Sequence, residues 1–88
     1  MQPTLSPGDI LLVRRGRSGA AVTRLALVDL GGGRPIAVKR LTNRRDDGWW
    51  VERDNPAEGV DSWLVGTLHD EAVHGVVLAR LWPRPRRL

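Results

Sequence analysis

One lysine stands apart from the other basic residues of this 88-residue chain. All 13 remaining basic residues are arginines, and the lysine, Lys39, lies in the apolar run from Ile36 to Leu41. Arginine stays protonated in proteins, whereas burial can lower the pKa of a lysine amine until the amine acts as a base. Lys39 is therefore the first candidate for a catalytic residue.

Whether Lys39 can act as a base depends on the strand that carries it. Alternation along a strand places Ala37, Lys39 and Leu41 on one face. If that face is turned toward the core, apolar neighbours favour the neutral amine. The alternative is an edge-strand lysine that reaches solvent and discourages aggregation. Composition and alternation alone favour this structural role.

Other kinds of catalytic or binding site have little support. The chain has no cysteine, which excludes disulfides, thiolate nucleophiles and cysteine-based metal sites. His69 and His74 have no obvious third ligand, so neither a metal nor another cofactor is expected. The glycines at 31–33 are followed by Pro35 rather than by the spacing of a phosphate-binding loop, and they are interpreted as a hairpin loop.

The net charge of +4 permits weak attraction to polyanions without requiring it. The chain has four tryptophans but no phenylalanine or tyrosine, so the aromatic platform of many single-strand binders is missing. We therefore expect a solvated basic surface and no nucleic-acid partner. A steep salt dependence of DNA affinity would support the weaker alternative of a nucleic-acid binder.

Short apolar runs separated by turn residues predict a mainly β fold of short antiparallel strands in a single domain. A charged turn is predicted at 43–48, and Gly75 is interpreted as a bulge or a close approach of two backbones. Trp49 and Trp50 could line a groove, but packing is the simpler expectation. The predicted strands are residues 10–13, 22–30, 36–41 and 49–52, with a last strand within 71–81.

The domain is expected to span residues 1–82, followed by a basic tail at 83–88. Pro83 and Pro85 remove hydrogen-bond donors, so the tail is expected to lie outside the sheet and to fray. No apolar run is long enough to cross a membrane, and the N-terminus does not resemble a secretory signal. The expected location is cytoplasmic or peripheral to the membrane, with an anchor only on a longer chain.

Three ordered motifs carry a family resemblance that covers nearly the whole chain. Residues 1–9, MQPTLSPGD, resemble the S-M-x-P-T-L-x-P-G-D box of type I signal peptidases, the S26 serine peptidases. Val38-Lys39-Arg40 is similar to the lysine box of that family. Asp54-Asn55-Pro56 and Asp61-Ser62 resemble its G-D-N and D-S-R boxes. Together with Trp49-Trp50-Val51, these details are most similar to the nickel-type superoxide dismutase maturation proteases.

The resemblance implies a Ser/Lys dyad in which Lys39 is the general base, and a β fold shared with the LexA-type self-cleaving peptidases. It also implies that Met1 and Pro3 contact the substrate, a protein or peptide with a cleavable N-terminal segment, for which a superoxide dismutase precursor is the candidate. The residues with an implied structural role are Gly8, Asp9, Asp54, Asn55, Asp61 and Ser62.

The chain departs from the family at the nucleophile, which would be a serine immediately before Met1. Ser6 cannot replace it, because Ser6 occupies the variable position before Pro-Gly-Asp. Two interpretations stay open. The sequence may be a shortened version of an active enzyme, which we favour, or an inactive relative that retains a peptide-binding groove.

Three further departures lie around the last two motifs. Gly59 stands where many relatives have a serine that orients the lysine. Arg53 replaces the glycine of G-D-N, and Trp63 replaces the arginine of D-S-R. We therefore expect that Asp61 loses an ion pair to position 63.

Overall fold

The computed structural model describes residues 5, 8–54 and 59–88. These residues form a single domain built mainly from antiparallel β-strands, which confirms the predicted fold class. The described part of the chain contains little helix, limited to α1 and one 3-10 turn. In chain order the elements are β1 (Ile10–Arg15), β2 (Leu25–Val28), β3 (Ala37–Arg45), β4 (Gly48–Glu52), α1 (Ser62–Val65), the 3-10 turn (Asp70–Ala72), β5 (Val73–Trp82) and β6 (Arg86–Arg87).

The sheet has the order β1-β5-β2-β3-β4, and β6 also pairs with β5. The long strand β5 thus joins the chain termini to the central hairpin. Gly75 on β5 permits a close approach, because a Cβ there would lie 2.7 Å from Val13 Cγ1 and 3.1 Å from the Arg14 carbonyl oxygen. The prediction made for Gly75 is therefore confirmed.

The predicted turn at 43–48 is wrong in its extent, since β3 continues to Arg45 and only Asp46 and Asp47 connect it to β4. Two arginine–tryptophan contacts support this extension. The Arg44 guanidinium lies 4.9 Å from the Trp49 ring centroid, and that of Arg45 lies 4.6 Å from the ring centroid of Trp50. The hairpin is consequently longer and tighter than the sequence suggested.

Strand β2 is shorter than the predicted strand at 22–30. At its start, Thr23 has a φ of 82°, which interrupts the extended backbone. At its end, the Asp29 side chain accepts a hydrogen bond from the backbone N–H of Gly31 at 2.8 Å and begins a turn. The glycines at 31–33 lie in the connection between β2 and β3, as predicted.

The C-terminal segment corrects a prediction, because the tail at 83–88 returns to the sheet at Arg86 and Arg87. Arg86 and Arg87 pair with Arg80 and Ala79 of β5, and the Leu88 N–H donates to the Leu78 carbonyl at 3.0 Å. The two prolines remove only their own donors, and the residues after Pro85 keep N–H groups that can pair.

The core lies on the inner faces of β2, β3, β4 and β5. Trp49 pairs with Leu68 in an isolated bridge, so the segment after α1 covers this side of the sheet. No helix among the described residues is long and apolar enough to cross a bilayer. The buried apolar side chains are Leu25, Ala26, Val28, Leu30, Leu41, Trp49, Val51, Leu68, Val73, Val76 and Val77.

Candidate active site

Lys39 lies on β3, an interior strand that pairs with β2 on one side and β4 on the other. Its cross-strand partner on β2 is Ala26, which is fully buried, and Leu41 on the same face of β3 is also fully buried. Only 7% of the Lys39 surface is exposed. Strand alternation left open which face of β3 is inward, and composition favoured an edge-strand lysine in solvent; the structure turns Lys39 inward on an interior strand, so that favoured interpretation is wrong.

Burial lowers the pKa of Lys39 below its ordinary value, because the charged amine loses hydration in the protein interior. The Asp61 carboxylate acts in the opposite direction and raises the pKa, while the Arg53 guanidinium lowers it further. Lys39 takes part in none of the ion pairs formed among the described residues. Burial and the lack of an ion pair within the described part of the chain both favour the neutral form of this amine, the form that can accept a proton.

The chain returns to Lys39 at Gly59. A Cβ built on Gly59 would lie 2.7 Å from Lys39 Nζ, which is too close for an unshifted contact. Gly59 also has a φ of 79°, a conformation that side chains with a Cβ rarely adopt. The structure thus places Gly59, which lies between Asp54 and Asp61 in the chain, close to the lysine amine.

We expect Gly59→Ala to destabilise the fold and to shift the Lys39 amine. The matched control is Gly16→Ala, because Gly16 has a similar φ of 84° and no atom within 4 Å of its Cβ position. Each change should cost about 1 kcal/mol or more for the strained backbone. Urea denaturation measures that cost, and only Gly59→Ala should alter the NMR signal of the lysine side chain. Equal lysine signals in the two variants would contradict the close approach.

Asp61 and Ser62 have structural roles, as their motif implied. Asp61 caps α1, with Oδ1 accepting from the Trp63 N–H at 3.1 Å and Oδ2 accepting from the Arg53 N–H at 3.3 Å. Ser62 is 1% exposed, and its Oγ accepts from the Val51 N–H at 2.8 Å. The Ser62 side chain therefore links α1 to β4, and its hydroxyl is not exposed as a nucleophile would be.

Arg53 provides Asp61 with an arginine partner that does not come from position 63. Its Nε lies 3.6 Å from Asp61 Oδ2, and its Nη1 donates to the Gly59 carbonyl at 2.9 Å. Relative to the motifs that the chain resembles, position 53 has an additional cation and position 63 lacks one. This paired difference is the signal in the sequence for the Arg53–Asp61 contact.

Asp54, the first residue of the segment that resembles G-D-N, is anchored to the strand that carries the lysine. Its carboxylate accepts from Arg40 Nε at 3.0 Å and from Arg40 Nη2 at 2.6 Å, and Arg40 Nη1 donates to the Thr23 carbonyl at 2.7 Å. Arg40 follows Lys39 directly and points to the opposite face of β3. The pair thus fixes β3 without contacting the amine. Asn55 lies outside the described residues.

The first motif is described only in part. Gly8 has a φ of 90°, and Asp9 Oδ2 lies 3.7 Å from Arg80 Nη1, so this segment is held against β5. This contact involves Asp9, and the structural role implied for Gly8 stays a prediction. Met1, Pro3 and Ser6 lie outside the described residues, and the substrate-binding role of Met1 and Pro3 stays a prediction.

Comparisons of the chain with protein-family models, with curated proteins and with solved structures found no match. Among the described residues, no group of three or more histidine, aspartate and glutamate side chains could hold a metal ion. Inferences about function therefore depend on the residues around Lys39.

Trp49 packs in the core, whereas Trp50 and Trp63 line an open groove. Trp49 is buried in the core, as expected. Trp50 instead meets Trp63 edge to face, with ring centroids 5.3 Å apart, and both line a depression of about 360 Å³. Trp63 is 77% exposed, and alternation places Trp50 on the face of β4 opposite Val51. This groove is separate from the buried face that carries Lys39.

Proposed function

We propose that this chain is a serine endopeptidase domain of the signal-peptidase type, with Lys39 as the general base of a Ser/Lys dyad. The observation that carries the proposal is a lone lysine buried on an interior strand, with a lowered pKa and no ion pair among the described residues. The order of the three motifs supports the same function. A lysine with only a surface role would keep its amine hydrated.

In this proposal the nucleophile is a serine at the position before Met1. Neutral Lys39 Nζ accepts the serine proton while the serine oxygen bonds to the scissile carbonyl carbon, and backbone N–H groups stabilise the oxyanion. The lysine ammonium then gives its proton to the departing amine, and an acyl-serine remains. A water molecule, activated by the same amine, releases the acyl group and regenerates the serine.

The proposed substrate is an extended N-terminal segment of a protein, and a superoxide dismutase precursor is the candidate. The proposed location of the reaction is the cytoplasm or the membrane periphery. The segment that approaches Lys39 would be held in place by the hydrogen bonds of Arg53, Asp61 and Ser62.

Adding an extension that ends in serine directly before Met1 tests the proposal. The matched control carries the same extension with alanine in place of that serine. We expect the serine form alone to cleave the precursor leader peptide or members of a degenerate peptide library, with products identified by mass spectrometry. Failure of the serine form to cleave any of these peptides would contradict the proposed activity.

A catalytically inactive peptide-binding module is the second candidate. It is favoured by Gly59, which offers no hydroxyl to orient the lysine, and by Trp63 in place of the motif arginine. Peptide binding without cleavage by the serine form would support it. An in-frame serine codon directly upstream of the Met1 codon, preceded by further coding sequence, would count against it.

A further inference from the structure

Two charged side chains among the described residues act on the Lys39 amine, and they are Asp61 and Arg53. The Asp61 side chain is only 7% exposed, so its charge is weakly screened by water. A buried carboxylate next to a buried amine would normally form an ion pair and hold the amine protonated. The structure shows no such pair between Asp61 and Lys39.

The reason lies in how the Asp61 oxygens are occupied. Oδ1 accepts from the Trp63 N–H, while Oδ2 accepts from the Arg53 N–H and lies 3.6 Å from the Arg53 Nε. The same guanidinium donates to the Gly59 carbonyl at 2.9 Å, and a Cβ at Gly59 would lie 2.7 Å from Lys39 Nζ. Arg53 thus binds both ends of the segment 59–61.

The other elements around Lys39 bring no competing carboxylate among the described residues. Strand β2 contains no charged residue, and Ala26 lies directly across from Lys39. On β4, Glu52 pairs in register with Arg40 and therefore shares the opposite face of the sheet. Asp54 is bound to Arg40 on that face as well.

We propose that Arg53 is a positioning residue for the base: by holding Asp61 and Gly59, it keeps the Asp61 carboxylate from becoming the counter-ion of Lys39. Without the Arg53 guanidinium, the two backbone hydrogen bonds to Asp61 remain, but the carboxylate loses its cation partner and its uncompensated charge favours the protonated amine. The role of Lys39 as a base rests on the proposed function, but the charge arrangement can be measured without catalysis.

Because Lys39 is the sole lysine, selective ¹³C and ¹⁵N labelling of lysine yields one side-chain signal whose pH titration reports this amine. In Arg53→Gln we expect the titration midpoint to move upward, so that the neutral fraction at a fixed pH below the midpoint falls several-fold. The matched control, Arg44→Gln, also removes one guanidinium from an ion pair, that with Asp70, and should leave the midpoint in place.

Two further variants keep the test decisive if Arg53→Gln folds poorly. Asp61→Asn retains an N-cap and should lower the midpoint below that of the parent, because Arg53 then acts without the opposing carboxylate. Adding Asp61→Asn to Arg53→Gln should cancel the upward shift. Three results would overturn the role of Arg53. They are an unchanged midpoint in Arg53→Gln, a shift in Arg53→Gln equal to the shift in Arg44→Gln, and an unchanged midpoint in Asp61→Asn.

The two proposals fail in different ways. If the midpoint shifts in Arg53→Gln but the serine-extended protein cleaves no peptide, the proposed peptidase function is excluded and the proposed charge arrangement is supported. Cleavage by the extended protein with an unshifted midpoint would keep the peptidase function and remove the role of Arg53.

Discussion

Replacing Lys39 with arginine or methionine in the serine-extended protein should lower kcat/KM for peptide cleavage by about 10² to 10⁴-fold or more. Methionine fills a similar volume without a base, and arginine keeps the charge but cannot give up its proton at working pH. Steady-state cleavage rates of the three proteins measure the loss. Activity that survives in Lys39→Arg would exclude Lys39 as the base.

The pH dependence gives an independent reading of the same residue. Cleavage by the serine-extended protein should rise with pH and then level, because only the neutral Lys39 amine accepts the serine proton. The lowered pKa of Lys39 places this rise below the range of an exposed lysine. Arg44→Gln should give the same profile, since Arg44 lies at the far end of β3 in an exposed ion pair. If the rise in cleavage rate does not coincide with the titration of Lys39, the rise reports another titratable group.

Lys39→Met should also stabilise the fold at neutral pH, even though it removes the proposed activity. A buried amine without an ion pair is costly when charged, whereas a methionine side chain packs among apolar neighbours. We expect a gain of about 0.5 to 2 kcal/mol in the free energy of unfolding. For a domain of this size, each kcal/mol raises Tm by about 4 to 8 °C. Urea and thermal denaturation measure the gain.

The stability difference should depend on pH in one direction. Since the pKa of Lys39 is lowered in the folded state, the unfolded chain binds more protons between the folded and unfolded values. Stability of the parent therefore rises with pH across that window, and the advantage of Lys39→Met shrinks. Arg44→Met, the control, should change little over the same range, because arginine remains charged. A parent more stable than Lys39→Met at neutral pH would mean that Lys39 is a structural cation.

Local sequence patterns were sufficient for the features of this fold that depend on neighbouring residues. Strand alternation placed Lys39 on the same face as Ala37 and Leu41, although it did not decide which face is the inner one. Gly75 was placed at a close approach because a glycine within an apolar strand implies a neighbour too near for a side chain. Such features follow from a few adjacent residues and simple geometry.

Features that depend on contacts between distant segments were not predicted. The extension of β3 to Arg45 is supported by the Arg44 and Arg45 contacts with tryptophans on β4, which no local pattern reveals. The tail pairs with β5 because the chain turns back on itself, whereas its prolines suggested an end to the sheet. Arg53 was noted as a departure from a motif, but its partner Asp61 is eight residues away and meets it only through the folded loop.

The Arg53–Asp61 pair has a consequence for searches based on the motifs that this chain resembles. That pattern has a glycine at the position of Arg53 and an arginine at the position of Trp63, and this chain differs at both. If one guanidinium is required beside Asp61, chains with arginine at one of these positions should rarely have it at the other. A motif search that fixes the arginine of D-S-R would then overlook proteins in which the cation lies directly after β4.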